Sequence, residues 1–314
     1  MADTSKPDAF SGFDPLLKAA DIETSPWVDG RYRPELELLG ELLSLPISAG
    51  DKQESGRVAK ALDAWVAHEL RRAGFPAGAV WPRTRKPRVL PEDLAPVEDE
   101  LEVLAQALVD AERDSGRIKP PALRRAIRAL DGKLPGAHEA YILGDFYAKQ
   151  IDVAISSWRR GPDVLISTKT MLSSYRKNLK NRHEEAVGEV MSLRARHPMA
   201  TMGYAYLVRR NVFAEEGAFA ILRDILMRLR RPGEAYDATM LLVIDWNDSD
   251  PHPQVTSIDE PEEVLDAARF FEDLIECVTD RSPVKEHAEV RWRRDPLPPG
   301  GMPDERDPPD DEDE

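Results

Sequence analysis

Cysteine is almost absent from this chain of 314 residues, in which Cys277 is the single example. One cysteine cannot close a disulfide within the chain, and it cannot build a metal site from several cysteines. Long apolar runs are missing as well, since none approaches the roughly 18 residues that predict a membrane-spanning helix. The opening residues, MADTSKPDAF, lack the basic start and apolar centre of a secretory signal. We therefore expect a cytoplasmic protein that does not bind a membrane.

Familiar catalytic fingerprints are also absent. The sequence contains no H-E-x-x-H zinc motif, no Walker phosphate-binding loop and no glycine-rich dinucleotide motif. No G-x-S-x-G elbow surrounds Ser173 and Ser174, so we expect these serines to cap a helix. The absences argue against zinc peptidases, nucleotide hydrolases, dehydrogenases and serine hydrolases of the common types.

Negative charge dominates, with a formal net charge of −15. Its distribution is uneven, because residues 295–314 carry nine acidic residues against one arginine, a net of −8. Six prolines and no apolar periodicity predict that this tail is disordered. The tail either keeps the protein soluble or competes with nucleic acid for a basic groove of the same chain. The remaining charge of −7 does not exclude DNA, because local basic patches make the phosphate contacts.

The hydrophobic pattern changes from helical to mixed along the chain. Residues 1–33 predict a flexible arm, and residues 34–131 predict a helical N-terminal region. Residues 132–280 predict an α/β core with a mixed central sheet flanked by helices, and residues 281–314 a disordered acidic tail. The expected helices span residues 34–47, 55–74, 98–114, 121–130, 174–196, 215–231 and 261–278, and the expected strands span residues 149–156, 163–170, 202–210 and 238–246.

One stretch, QIDVAISSWRRGPDVLISTKT from Gln150, places charged residues inside two expected strands. Asp152 lies in the first strand, and Lys169 lies at the end of the second. Because alternate side chains of a strand face opposite ways, Ser167 and Lys169 share one face and Thr168 takes the other. A hairpin would bring Asp152 beside Lys169, where the two could bind a divalent ion and orient a water. The alternative is a structural ion pair at the edge of the sheet.

This arrangement resembles the PD-(D/E)xK nuclease superfamily, whose best-known members are restriction endonucleases. Its motif is an aspartate followed at some distance by acid–x–lysine, and Asp152 and Lys169 match the first and last elements. The resemblance covers residues 139–246 and implies a restriction-endonuclease-like core, Mg²⁺ or Mn²⁺ as cofactor, and DNA as partner. It also implies that Asp152 and the backbone carbonyl of Thr168 bind the metal, while Lys169 acts on the attacking water.

Ser167 stands where this superfamily places its second acid. Some members with a serine there carry the glutamate on the following helix, and this chain offers Glu184 and Glu185 on such a helix. At about 100° per residue, Glu184 flanks the expected buried stripe and Glu185 points away from it. Glu184 is therefore the expected second metal ligand, and Glu185 is the alternative. The expected stripe consists of Leu179, Ala186, Val187, Val190 and Met191.

The same helix is rich in basic residues, which could hold phosphates of DNA. A solvated helix surface is the alternative interpretation. The basic connection at residues 83–88 is a further candidate for reading DNA or for contacting a partner. The expected DNA-binding residues are Arg176, Lys177, Lys180 and Arg182, with weaker candidates in Arg194 and Arg196.

These features together predict an Mg²⁺-dependent DNA endonuclease that hydrolyses phosphodiester bonds in restriction or phage defence. A homodimer, or a place as a subunit of a defence complex, is expected. The alternative is a catalytically silent nuclease fold that binds DNA or protein within such a complex, which the missing acid at Ser167 favours. A protein–protein adaptor is the remaining alternative, suggested by the helical N-terminal region and the acidic tail.

Overall fold

A six-stranded mixed β-sheet forms the centre of the protein. The computed structural model describes residues 8–51, 56–115, 125, 127–130, 136–230 and 235–296. In spatial order, numbered along the chain, the strands are β10 (Val255–Asp259), β9 (Ala238–Trp246), β8 (Thr201–Arg209), β7 (Gly161–Met171), β6 (Val153–Ser157) and β3 (Val80–Trp81). The pairs β7–β8 and β8–β9 are parallel, and the other neighbours are antiparallel. Two small antiparallel pairs lie outside this sheet, β1 (Trp27–Val28) with β2 (Arg31–Tyr32) and β4 (Ala140–Leu143) with β5 (Ala148–Ile151).

Helices cover both faces of the sheet. They are α1 (Asp14–Ala19), α2 (Leu36–Ser48), α3 (Arg57–Arg72), α4 (Ala95–Ser115), α5 (Tyr175–Arg196), α6 (Ala218–Leu229), α7 (Ala267–Arg281) and α8 (Ala288–Arg294). Because side chains alternate along a strand, Val164 and Ile166 of β7 join one core with α3 and α7, whereas Leu165 joins a second core with α5 and α6. This arrangement confirms the predicted α/β core with a mixed central sheet flanked by helices.

Most predicted elements agree with the structure within a few residues. The expected helix over 261–278 begins only at Ala267, because the side chain of Asp266 accepts a hydrogen bond from the Arg269 amide and caps the helix there. Of the helix expected over 121–130, residues 125 and 127–130 are helical, and the rest lie outside the described residues. The strand expected over 149–156 is divided at Asp152, which lies in neither β5 nor β6. Strands β1, β2, β3, β4 and β10 were not predicted.

The expected division of the chain needs correction at both ends. Residues 8–33 are not a flexible arm, since Phe13, Leu17 and Tyr32 are buried in the same core as α3. Strand β3, from the expected helical region, pairs with β6 of the central sheet, so no boundary separates the two regions. Helix α8 extends the fold to residue 294, with Val290 buried. The rest of the expected acidic tail, residues 297–314, lies outside the described residues.

None of the described helices is both long enough and apolar enough to cross a lipid bilayer.

Candidate active site

The predicted hairpin forms and brings Asp152 to the end of β7. Asp152 lies directly before β6, whose first residue pairs with Ile166, so β7 continues past the end of its neighbour. The amide of Thr168 donates a hydrogen bond to Oδ2 of Asp152 at 2.9 Å, and Lys169 Nζ lies 3.8 Å from the same oxygen. The side chains of Asp152 and Lys169 are 21% and 18% exposed, so the pair is within reach of solvent.

A carboxylate from α5 faces the Ser167 side of β7. Ser167 and Lys169 point toward α5, where the Ser167 hydroxyl donates a hydrogen bond to Oε1 of Glu189. Burial raises the pKa of Glu189, although the charge of Lys169 and the hydrogen bond from Ser167 oppose this, and the charge of Asp152 adds to the rise. Glu189 therefore supplies an acid near Lys169, on the side of β7 where the superfamily motif has an acid and this chain has Ser167.

The acid that the structure places beside Ser167 is Glu189, whereas Glu184 was the acid expected there. The buried side of α5 is rotated from the expected stripe, because Val187 and Met191 are exposed. Its buried residues are Tyr175, Leu179, Ala186, Glu189, Val190 and Leu193. Glu184 and Glu185 lie on the solvent side of α5 and pair there with basic neighbours, Glu184 with Lys180 at 3.7 Å and Glu185 with Arg182 at 2.6 Å.

A second acidic group reaches Thr168 from the opposite face of the sheet. The hydroxyl of Thr168 donates to Oδ1 of Asp63 on α3, and Lys60 Nζ lies 2.9 Å from the other oxygen of Asp63. Burial raises the pKa of Asp63 to about 6 against the opposing charge of Lys60, and the charge of Asp152 raises it further. Burial disfavours the charged form of Lys60, but Asp63, Asp152 and Glu139 together raise its pKa. Thr168 therefore contacts two acids, Asp152 through its amide and Asp63 through its hydroxyl.

The sequence analysis missed Lys60 and Asp63, because the charged residues of α3 gather on one side of the helix and indicate a face toward solvent. In the fold Asp63 is fully buried. A charge buried in this way needs a partner, because an unpaired buried charge is costly. The identity of that partner depends on how α3 packs against β7, which the sequence of α3 does not contain.

Another polar cluster joins Glu35, at the start of α2, to His68 and Glu69 of α3. Their potential ligand atoms lie within 4.8 Å of one another, a spacing that could hold a metal ion. The guanidinium of Arg72 already pairs with both carboxylates, at 3.3 Å from Glu35 and 2.8 Å from Glu69, and the Tyr32 hydroxyl donates to Glu69 at 3.0 Å. A cation of the protein thus fills the role that a metal would have, and we interpret the cluster as structural.

The predicted DNA-binding residues of α5 differ in their availability. Lys180 and Arg182 pair with the glutamates described above. Arg176, Lys177 and Arg196 are exposed, and their side chains make no ion pair within the described part of the chain. These three remain free to meet phosphates.

Other predicted basic contacts are used inside the fold. Arg194 pairs with Asp237 at 2.9 Å and donates to the carbonyl of Ala235, which corrects its expected role on DNA. In the connection over residues 83–88, Arg83 and Arg88 are each 2% exposed. Arg83 pairs with Glu98, and Arg88 pairs with Asp8 and Asp14, so these two arginines hold the fold together. Lys86 of the same connection is 63% exposed, so the expected contact with DNA or a partner stays a prediction for this residue.

The donor atoms at the end of β7 fit a hard divalent cation. Oδ1 of Asp152 and Oε2 of Glu189 accept no hydrogen bond from the described residues, and oxygen donors are those that Mg²⁺ prefers. The N–H and C=O of one strand residue point to the same edge, so the carbonyl of Thr168 faces the Asp152 side, as its amide does.

Two carboxylates act on one lysine at this end of β7, and these are the types of group that metal-assisted hydrolysis of phosphate esters uses. Comparison of the chain with protein-family models, with curated proteins and with solved structures finds no match, so the resemblance to restriction endonucleases stays a prediction from its residues.

Proposed function

We propose that this protein is an Mg²⁺- or Mn²⁺-dependent endonuclease that hydrolyses phosphodiester bonds of DNA. The hydrogen bond between Ser167 and Glu189 carries the proposal. It puts a buried carboxylate next to Lys169, on the strand face where the PD-(D/E)xK pattern needs one and the strand itself has a serine. Asp152 approaches the same lysine from the end of β6.

Each residue has a distinct part in the proposed reaction. Asp152, Glu189 and the carbonyl of Thr168 would hold the cation, which when bound supplies positive charge against the phosphate and lowers the pKa of a water ligand. The Thr168 amide fixes the orientation of Asp152, and Ser167 fixes that of Glu189. The ammonium of Lys169 lies where it can stabilise negative charge that develops on the phosphate oxygens.

The resemblance to restriction endonucleases extends the proposal to a role in restriction or phage defence within the cytoplasm. Cutting both strands of a duplex is simplest with two sites, so a homodimer or a defence complex is the assembly we propose. The silent-nuclease alternative rested on the missing acid at Ser167, and Glu189 supplies an acid from the helix.

Plasmid cleavage with Mg²⁺ or Mn²⁺ tests the proposal, with Glu189→Gln and Glu184→Gln as a matched pair on one helix. Glutamine keeps the shape of the side chain and its hydrogen bond to Ser167 but removes the charge. We expect at least about 100-fold slower cleavage for Glu189→Gln, because loss of a ligand exceeds the usual cost of losing an outer partner. Glu184→Gln should cleave as the wild type does, since Glu184 lies in solvent.

Asp152→Ala and Lys169→Ala should also abolish cutting, and thermal unfolding of every variant shows whether it is folded. Equal activity of Glu189→Gln and wild type would refute the proposal. If no protein cuts, calorimetric titration with Mn²⁺ decides the alternative. Binding that requires Glu189 and Asp152 would identify a silent nuclease fold, and absence of binding would remove the metal site altogether.

A further inference from the structure

The proposed reaction gives no part to Lys60, a lysine of α3 beside the candidate active site. Its side chain is 24% exposed, and its ammonium donates a hydrogen bond to Oδ2 of Asp63 at 2.9 Å. An ammonium has three N–H donors, and Lys60 makes no other hydrogen bond to the described residues. Two donors of a partly exposed cation are therefore available to a ligand.

The neighbours of Lys60 fix the position of its ammonium. Nζ lies 5.3 Å from the centre of the buried Phe10 ring, and a cation is attracted to the face of an aromatic ring. Asp63 is held in turn, because its other oxygen accepts a hydrogen bond from the hydroxyl of Thr168. The amide of Thr168 holds Asp152, so Lys60 is connected to the proposed metal ligands through two hydrogen-bonded residues.

Two lysines act on Asp152. Lys169 Nζ lies 3.8 Å from Oδ2 of this carboxylate. Burial lowers the pKa of Lys60, but the charges of Asp63 and Asp152 raise it above its usual value. Lys169 points toward α5 and Lys60 belongs to α3, so the two lysines come from opposite faces of the sheet.

The chemistry around these lysines suits a phosphodiester. The carboxylates of Asp63, Asp152 and Glu189 lie around them, so an anion that enters the site is repelled unless cations contact it. A phosphodiester carries one negative charge, shared by the two oxygens that do not bridge to sugars. A lysine ammonium is a compact charge that commonly binds phosphate oxygens. Lysines from opposite faces of the sheet can each contact one of the two oxygens.

We propose that Lys60 is a second phosphate-binding lysine of the candidate active site, which donates to one oxygen of the phosphodiester while Lys169 contacts the other. The inference rests on the proposed nuclease function and adds Lys60 to the residues that touch the substrate. Asp63 is then a positioning residue, because it holds the ammonium of Lys60 and acts on the substrate only through it.

The alternative role of Lys60 is purely structural, as the cation that keeps Asp63 folded inside the protein. Lys60→Met alone would leave Asp63 buried without a cation, and such a variant can fail to fold. The test therefore combines Lys60→Met with Asp63→Asn, which removes both charges and keeps an acceptor for the Thr168 hydroxyl. A structural lysine predicts that this double variant binds DNA as Asp63→Asn alone does.

Fluorescence anisotropy with a labelled 20-base-pair DNA measures the phosphate contact without any need for cleavage. The full-length protein is titrated at several salt concentrations, once in EDTA and once in Ca²⁺, a hard cation that oxygen donors also bind. We expect the slope of log affinity against log salt concentration to be smaller by about 0.9 in the double variant than in Asp63→Asn, because one phosphate contact is lost. A smaller slope in either condition supports the contact.

Lys285→Met is the matched control, because it removes one exposed lysine at the other end of β7. Its neighbour Glu286 pairs at 2.6 Å with Arg160, in the turn before β7, and Lys169 is nine residues further along the chain, about 30 Å at strand spacing. The control should have the slope of the wild type, and thermal unfolding shows whether each variant is folded.

Equal slopes of the double variant and Asp63→Asn in both conditions would overturn the inference, as would an equal loss of slope in Lys285→Met. Plasmid cleavage by the wild type together with such equal slopes would leave the nuclease standing and return Lys60 to a structural role alone. If the wild type binds no DNA in either condition, the inference and the proposed nuclease function are both refuted.

Discussion

Replacing Arg88 by methionine should destabilise the folded protein by about 4 kcal/mol, although Arg88 is not among the residues of the candidate active site. The guanidinium is 2% exposed and lies 2.8 Å from Asp8 and 2.7 Å from Asp14, whose side chains are 7% and 19% exposed. It also donates to the carbonyl of Arg83 at 2.6 Å. Arg88 thus joins the first described residues of the chain to the connection before α4.

The magnitude follows from what the substitution leaves behind. Methionine fills much of the volume of the arginine stem, so the cavity term is small. Two carboxylates in poorly solvated positions lose their cation, and removing one partner of a buried ion pair costs about 3–5 kcal/mol. That loss is a large part of the roughly 5–15 kcal/mol that keeps a domain folded.

Urea unfolding at neutral pH, followed by circular dichroism, measures this cost. Arg113→Met is the control, since Arg113 pairs with Asp110 at 2.6 Å but both side chains are largely exposed, and exposed pairs contribute little. The free energy of unfolding of Arg88→Lys should lie between those of the wild type and Arg88→Met. The lysine ammonium keeps the charge, but it cannot bond both carboxylates at once as the planar guanidinium does. A loss below about 1 kcal/mol for Arg88→Met would refute the assignment of Arg88 as a buried structural cation.

Two further predictions concern pH and salt. Burial raises the pKa of Glu69 to about 7 despite the charge of Arg72, so the unfolded chain releases this proton at a lower pH than the folded chain does. As the pH rises from about 4 to about 8, the free energy of unfolding of the wild type should therefore fall by about 3 kcal/mol relative to that of Glu69→Gln. Urea unfolding at several pH values measures this difference. The double variant Arg176→Ala and Lys177→Ala should reduce the slope of log affinity for DNA against log salt concentration by about 2, because each phosphate contact contributes about 1. Arg194→Ala should leave this slope unchanged and lower the thermal midpoint of unfolding, because Arg194 pairs with Asp237 inside the fold. An unchanged slope for the double variant would remove these residues from the DNA contact.

The fold could be predicted well where its elements follow a local pattern. Helix α3 and the strands β7, β8 and β9 have long, regular apolar sequences, and the structure contains them nearly as expected. The first 33 residues have no regular apolar pattern, so their packing could not be predicted from the local sequence. Phe13 and Tyr32 are buried because distant helices cover them, which is a tertiary effect.

Which residues meet at the candidate site could be predicted only where they are close in the sequence. Asp152, Thr168 and Lys169 belong to one hairpin, and a hairpin is set by a short stretch of sequence. Glu189 was passed over because a search for an apolar stripe treats a glutamate as a residue of the surface. The stripe of α5 includes this acid since Ser167 gives it a buried hydrogen-bond donor. Asp63 comes from a helix that meets β7 only in the folded protein.

The Ser167–Glu189 pair also bears on how such a site can change in evolution. The pair holds one carboxylate between a strand and a helix, 20 residues after the lysine in the chain. Moving the acid to the strand takes two substitutions, and each order passes through an unfavourable intermediate. Gaining the strand acid first places two carboxylates against each other in a buried space, and losing Glu189 first leaves the site without its second acid. A chain with the helix arrangement is therefore held there, and it continues to lack an acid two residues before the lysine.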